Sequence, residues 1–312
     1  PPAHAGGSDP DRPPTRSNKS INRMKLTKHA SIIALLLLFI GLSLSSQIAA
    51  QQTGKKLPDL KLVSKLMGRD MSYRVVLPPD YNSGSSRYPV IYLLHGLTGN
   101  FANWTNNTKL TEYALNHRFI IVTPDGGNGW YTDSVSAPND KYESYIIKEL
   151  IPEIDKTYRT IAARDGRVIA GLSMGGYGSL KFGMKYPEMF TLIGSFSGAL
   201  GATSWTEKTA GAIGKSMDAV FGTDMAGESR KSNDIFKMAT ELTPEKVKSL
   251  PYIYQSCGTE DFLIQNNRDF LKLLNDAKVP HEYREHPGVH DWVFWDDQVR
   301  EFLDLADRRI KK

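Results

Sequence analysis

Arg167-Val168-Ile169-Ala170-Gly171-Leu172-Ser173-Met174-Gly175-Gly176 decides how this chain is read. After Arg167, Val168-Ile169-Ala170 are β-branched or apolar, the composition of a short buried strand. Beyond it, Tyr177-Gly178-Ser179-Leu180-Lys181-Phe182-Gly183-Met184 reads as a helix that opens on small residues. Ser173 thus falls between Gly171 and Gly175 on a strand-to-helix turn. Such a turn strains the backbone and exposes the hydroxyl, while side chains at the flanking glycines would collide with the neighbouring strand and helix. Glycine-rich turns are common, so the pentapeptide needs partners elsewhere.

A serine hydroxyl is a poor nucleophile near neutral pH and requires a general base and a group that orients the base. On this type of turn the partners follow in the order serine, acid, histidine. Tyr252-Ile253-Tyr254-Gln255-Ser256-Cys257 reads as a strand, and Gly258-Thr259-Glu260-Asp261 places carboxylates just past its end. His281-Glu282-Tyr283-Arg284-Glu285 reads as another strand, followed by the loop Pro287-Gly288-Val289-His290-Asp291-Trp292. Ser173, Asp261 and His290 therefore follow three separate strands, on the edge of a parallel sheet where ligands bind. Each has a competitor. Glu260 adjoins Asp261, but a one-residue offset turns its side chain the other way. His286 stands four positions before His290, at a strand end ahead of Pro287. His117 reads as a surface or helix-end histidine, and Cys257, the single cysteine, as a buried strand thiol that excludes an intrachain disulfide.

Acyl transfer also needs two backbone N–H groups aimed at the developing oxyanion. Met174, the residue after the serine, supplies one. Val90-Ile91-Tyr92-Leu93-Leu94 is the clearest buried strand and leads into His95-Gly96-Leu97-Thr98-Gly99-Asn100. That loop offers the Leu97 amide as the second donor, with His95 in a structural role.

Together, His95-Gly96-Leu97-Thr98-Gly99, Gly171-Leu172-Ser173-Met174-Gly175-Gly176, Gly258-Thr259-Glu260-Asp261 and His290-Asp291-Trp292 resemble the esterase D-like branch of the α/β-hydrolases. That branch includes tributyrin-type carboxylesterases, feruloyl and acetylxylan esterases, S-formylglutathione hydrolases and mycolyltransferases. The resemblance spans roughly residues 59–310, with the motifs in the family's order. Asp125-Gly126-Gly127 followed by Trp130-Tyr131 is also similar to the family's loop after the next strand. The resemblance implies an α/β-hydrolase fold, a mostly parallel doubly wound sheet with helices on both faces and a small cap insertion. It also implies Asp261 over Glu260 as the acid, and Leu97 with Met174 as the oxyanion donors. It does not choose a substrate.

Composition agrees with a globular enzyme: 312 residues, 40% hydrophobic and 23% charged, enough for one α/β domain. Residues 1–23 are rich in proline, glycine and charge and read as disordered or as an extension upstream of a start at Met24. Residues 24–50 read as a secretory signal peptide: Lys25 and Lys28, an apolar run from Ile32 to Leu44, then Gln47-Ile48-Ala49-Ala50-Gln51 with cleavage near Ala50. That run is shorter than the ~20 residues of a spanning helix, and no cysteine follows it to take a lipid. Residues 51–58 form a linker and 59–312 the catalytic domain. Six of the 39 Lys/Arg and two of the 34 Asp/Glu lie within residues 1–50, leaving 33 against 32, so the net charge of +5 falls to +1. No basic patch then argues for nucleic acid or for membrane association after cleavage.

The remaining segments place the rest of the fold. Residues 71–77 alternate like an antiparallel edge strand. Ile147, Leu150, Ile151, Ile154 and Tyr158 recur at helical spacing, with Pro152 bending that helix. Residues 264–278 and 292–308 read as the last two helices. The stretch from Ser197 to Leu250 is too long for a simple connection and reads as a cap, with Trp205, Met217 and Phe221 as pocket or packing residues. Trp104, Trp130 and Tyr131 follow strands on the catalytic side and are better pocket candidates. No repeat, metal-ligand cluster or phosphate-binding glycine loop stands in the sequence, so no cofactor is expected.

The expectation is a secreted or periplasmic serine carboxylesterase without metal or cofactor. It would act on short-chain esters or on feruloyl or acetyl carbohydrate esters, in an oligomeric state the sequence leaves open. A sugar-directed acyltransferase, an S-formylglutathione hydrolase and a non-catalytic binding protein are the alternatives. The cytosolic location of its substrate disfavours the second, and an intact triad disfavours the last.

Overall fold

A computed structural model describes residues 58–310; the extension, signal-peptide and linker readings of residues 1–57 lie outside the described residues. Eight strands form one sheet: β1 (Leu60–Ser64), β2 (Arg69–Val76), β3 (Val90–Leu94), β4 (Ile120–Pro124), β5 (Arg167–Leu172), β6 (Leu192–Phe196), β7 (Tyr252–Gly258) and β8 (His281–His286). Their spatial order is β1-β2-β4-β3-β5-β6-β7-β8. The β1–β2 and β2–β4 pairs are antiparallel and every later pair is parallel. Strands β3 to β6 are buried throughout, as expected where helices cover both faces of a parallel sheet.

The longer helices among the described residues are α1 (Met174–Lys185), α2 (Glu207–Phe221), α3 (Ile264–Asp276) and α4 (Trp292–Arg309). Two large apolar clusters fill the sheet's two sides, one around Tyr92, Tyr131, Tyr177 and Phe270, the other around Ile91, Trp104, Phe196 and Phe302.

Two sequence expectations need correction. The strand over residues 71–77 is antiparallel but not at the edge, because β1 pairs outside it through Leu60–Tyr73 and Leu62–Met71. Strand β1 is half-buried, with Lys61 and Val63 turned to solvent, and so carries a weak apolar signal. The helix containing Pro152 widens into a π-helical turn over Ile146–Leu150 before its last segment, Ile151–Thr157. Proline has no N–H to close an ordinary turn, and the wide turn absorbs that loss. The cap is helical: it holds α2, which is broken at Ala210 and Gly211, and three short helices.

Candidate active site

Strand β5 runs into Ser173, whose backbone has φ 51° and ψ −114°, before α1 begins at Met174. Such a conformation persists only when its surroundings hold it. Ser173 N–H donates to the Phe196 carbonyl, while the Ser173 carbonyl accepts from Tyr177 and Ala199 N–H groups. The turn closes tightly because its glycines have no side chains. A Cβ on Gly171 would lie 2.6 Å from the Gly175 backbone, and one on Gly175 would lie 2.5 Å from the Leu94 carbonyl oxygen.

The carboxyl ends of β5, β7 and β8 then bring three side chains together. His290 Nε2 lies 3.0 Å from Ser173 Oγ, and His290 Nδ1 lies 2.8 Å from Asp261 Oδ2. Asp261 is buried, and its other oxygen accepts from Leu263 N–H at 2.8 Å. Burial alone would raise its carboxyl pKa. The hydrogen bond to His290, the Leu263 amide and the charge of His290 outweigh burial and hold it below the usual carboxylate range. The histidine ring stands edge-on to Trp295, with ring centres 4.9 Å apart, and leans on Phe262 at 4.7 Å.

The loops carrying acid and histidine are tied to each other. Thr259 N–H donates to the His286 carbonyl and Glu260 N–H to the Gly288 carbonyl, while the Glu260 carboxylate accepts from Gly288 N–H at 2.7 Å. Glu260 therefore braces the histidine loop from its exposed side, with its carboxyl lowered first by that amide. Asp291 caps α4 by accepting from Phe294 N–H. His286 points away, with Nε2 3.6 Å from Glu301. His117 is buried near Asp304. Cys257 is buried within β7, where desolvation, and next the charge of Asp261, push its thiol up to about 12.

The loop after β3 passes under the serine. Gly96, where a Cβ would approach Ser173 Cβ to 3.4 Å, brings Leu97 into the cavity that Ser173 and His290 also line. The N–H groups of Leu97 and Met174 take part in none of the turn, loop or cap hydrogen bonds among the described residues. The His95 ring spans two loops: Gly126 N–H donates to Nε2 at 2.8 Å, and Nδ1 stands 2.7 Å from the Gly96 carbonyl. Since Nε2 accepts, the proton sits on Nδ1 and is donated to Gly96.

A cavity of about 620 Å³ opens over Ser173. Trp130, Trp205, Ile213, Phe262, Trp292 and Trp295 are among the residues that line it. Of the aromatic pocket candidates, Trp130 and Trp205 face this space. Trp104 does not: it is buried, donates its Nε1–H to the Leu94 carbonyl at 2.9 Å and packs on Phe196 and Trp292. Tyr131 also lies beneath the floor, its hydroxyl donating to the His95 carbonyl at 3.0 Å. Met217 and Phe221 are core residues. Ile213, Phe262 and Trp295 escaped the sequence reading because nothing local separates a cavity-facing aromatic or aliphatic residue from a core one. Among the described residues, no group of three or more His, Cys, Asp or Glu is arranged to hold a metal ion. No helix among them is long and apolar enough to cross a membrane.

The family model described as "Putative esterase" matches residues 64–303. An acetyl esterase of Caldicellulosiruptor saccharolyticus is 30% identical over 252 residues, covering 77% of this chain and 94% of that protein. A ferulic acid esterase structure superposes with a TM-score of 0.70 at 27% identity, over 81% of this chain and 98% of its own. An S-formylglutathione hydrolase structure from Staphylococcus aureus gives a TM-score of 0.66 at 25% identity, covering 80% and 98%. The chain belongs to the Esterase family, in the esterase D-like branch of the α/β-hydrolases, and is a carboxylesterase-type hydrolase.

Proposed function

We propose that Ser173, His290 and Asp261 are the catalytic triad of an exported esterase acting on short-chain esters or on feruloyl or acetyl carbohydrate esters. The unbroken hydrogen-bonded line from buried Asp261 through His290 to Ser173 carries this reading. His290 Nε2 takes the Ser173 proton as Oγ bonds to the ester carbonyl carbon. The carbonyl electron pair moves onto oxygen, and the Leu97 and Met174 amides stabilise that oxyanion. Collapse of the tetrahedral adduct expels the alcohol, which receives the proton from His290 and leaves Ser173 acylated. Water then repeats the sequence and frees the acid. Asp261 holds the imidazole with its proton on Nδ1 and stabilises the imidazolium while it lasts.

Two relatives, an acetyl esterase and a ferulic acid esterase, support this ester class, as do the five Trp and Phe side chains on the cavity wall, which suit planar acyl groups and sugar faces. Export rests on the basic, apolar and small-residue order of residues 24–50. Protein expressed from Met24 should appear outside the cytoplasm with an N-terminus near Gln51; N-terminal sequencing that finds Met24 or Lys25 intact on soluble protein overturns the signal-peptide reading.

Ser173→Ala should fold normally and lose at least ~10³-fold in turnover of a chromogenic acetyl ester. Covalent labelling by a fluorophosphonate at another residue would sink the nucleophile assignment. A panel of esters from acetyl to feruloyl, with and without sugar acceptors, ranks acyl groups and separates hydrolysis from transfer.

A further inference from the structure

Beneath the cavity lies a polar cluster that the proposed chemistry does not use. Lys181, two helical turns along α1 from Ser173, is fully buried. Its ammonium donates to the Tyr131 carbonyl at 2.6 Å, to Thr132 Oγ1 at 2.7 Å and to Glu143 at 2.8 Å, so all three N–H bonds are engaged. Glu143 is held from the other side by Lys185 and by the Tyr186 hydroxyl. Keeping a charge in so apolar a place is costly unless its hydrogen bonds are complete.

What Lys181 grips is a strained turn. Trp130 and Tyr131 are consecutive non-glycine residues with φ 51° and 50°, a left-handed conformation that side chains of their size rarely adopt. Trp130 lines the cavity, whereas the Tyr131 ring lies against Gly126 and Gly178, where a Cβ would approach it to 2.4 and 2.7 Å. From there the Tyr131 hydroxyl reaches the His95 carbonyl. The next peptide group is the decisive one. The Gly96 carbonyl accepts from His95 Nδ1 and from Gly99 N–H. In a trans peptide the N–H points opposite to the C=O, so fixing the Gly96 carbonyl on one side aims the Leu97 N–H to the other.

We propose that Lys181 is a positioning residue for the Leu97 amide, acting through the Tyr131 hydroxyl on the His95–Gly96 backbone. The relay runs from the buried ammonium to the Tyr131 backbone, through that ring to the His95 carbonyl, and so to the peptide plane that presents the oxyanion donor. It rests on the assignment of Leu97 to the oxyanion hole.

Tyr131→Phe removes one hydroxyl and keeps the ring, so it tests the relay with little change in packing. A misaligned donor costs transition-state binding more than substrate binding, so kcat per active site should fall about tenfold at unchanged KM. Active sites are counted by fluorophosphonate titration. Affinity for an aryl trifluoromethyl ketone, whose serine adduct carries the same oxyanion, should fall by the same factor. Lys181→Met should lower kcat in wild-type protein but by less than about twofold in the Tyr131→Phe background, because the two act in one line. A merely structural cluster would lower the melting temperature and the number of titratable sites while leaving kcat per site and ketone affinity intact, and that result overturns the proposal. Multiplicative losses in the double variant overturn it too. Should Lys181→Met fail to fold, the Tyr131→Phe measurements still decide. If Ser173→Ala keeps its turnover, the underlying triad reading fails; if Ser173→Ala is inactive while Tyr131→Phe matches wild type, only the relay fails.

Discussion

Asp261 and Glu260 are adjacent carboxylates with opposite surroundings. Asp261 is buried against His290 and the Leu263 amide, whereas Glu260 accepts from the Gly288 amide at the surface. Asp261→Asn should lower turnover by up to about 10⁴-fold, since the neutral amide neither fixes the tautomer nor balances the imidazolium. Glu260→Gln should keep most of the activity, because a neutral amide oxygen still accepts from Gly288. Steady-state kinetics on both variants checks the assignment, and the reverse ranking would move the acid to Glu260. At the same scale, His290→Ala should abolish turnover and His286→Ala should spare it, given that His286 faces Glu301 rather than Ser173.

The element that matters most is the junction of β5 and α1. Its glycines are places where two backbones meet, not merely flexible links. Gly175→Ala would drive a methyl group against the Leu94 and His95 carbonyl oxygens, 2.5 and 2.7 Å away, and backbone cannot swing aside like a side chain. The expected loss is about 1–3 kcal/mol of unfolding free energy by urea titration, with slower turnover because the displaced strand end carries the Leu97 loop. Gly84→Ala is the matching control: nothing lies within 4 Å of its Cβ, and its backbone is extended. Equal stability of Gly175→Ala and wild type would contradict the packing described for the turn.

At the level of the whole molecule, buried charge ties stability to pH. Burial alone would raise the Glu143 carboxyl. Lys181 and Lys185 more than offset that and lower it from 4.5 to about 2. The unfolded chain therefore binds a proton at Glu143 that the folded chain refuses between those values. This contribution is complete above the unfolded value and disappears as pH falls through the folded one. Lowered Asp261 acts in the same direction. Urea midpoints should fall as pH drops from about 4.5 to about 2, and Glu143→Gln should show a shallower fall from a lower starting stability. An acid limb of unchanged steepness in Glu143→Gln would place the responsible groups elsewhere.

Much of this organisation is legible along the chain because it is local. A β-branched run, two glycines around a serine, a carboxylate past one strand and a histidine past another are set by neighbours in sequence. The parallel sheet, the final helices and the convergence of Ser173, Asp261 and His290 follow from them. Strands β1 and β6 stayed hidden: the first is half-exposed, and the second is short and interrupted by Gly194, whose missing side chain admits Phe302. Which aromatic residue faces the cavity was decided only in three dimensions. Trp104 and Trp130 read alike in sequence, yet one packs on Phe196 and Trp292 while the other lines the cavity. Lys181 stood in view as a charge inside a largely apolar helix, but its partners lie 38 to 50 residues away in sequence. Local sequence determined the chemical groups and their order along the chain. Tertiary structure alone decided burial and aim, because in a sheet covered on both faces a side chain's surroundings come from elements distant in sequence.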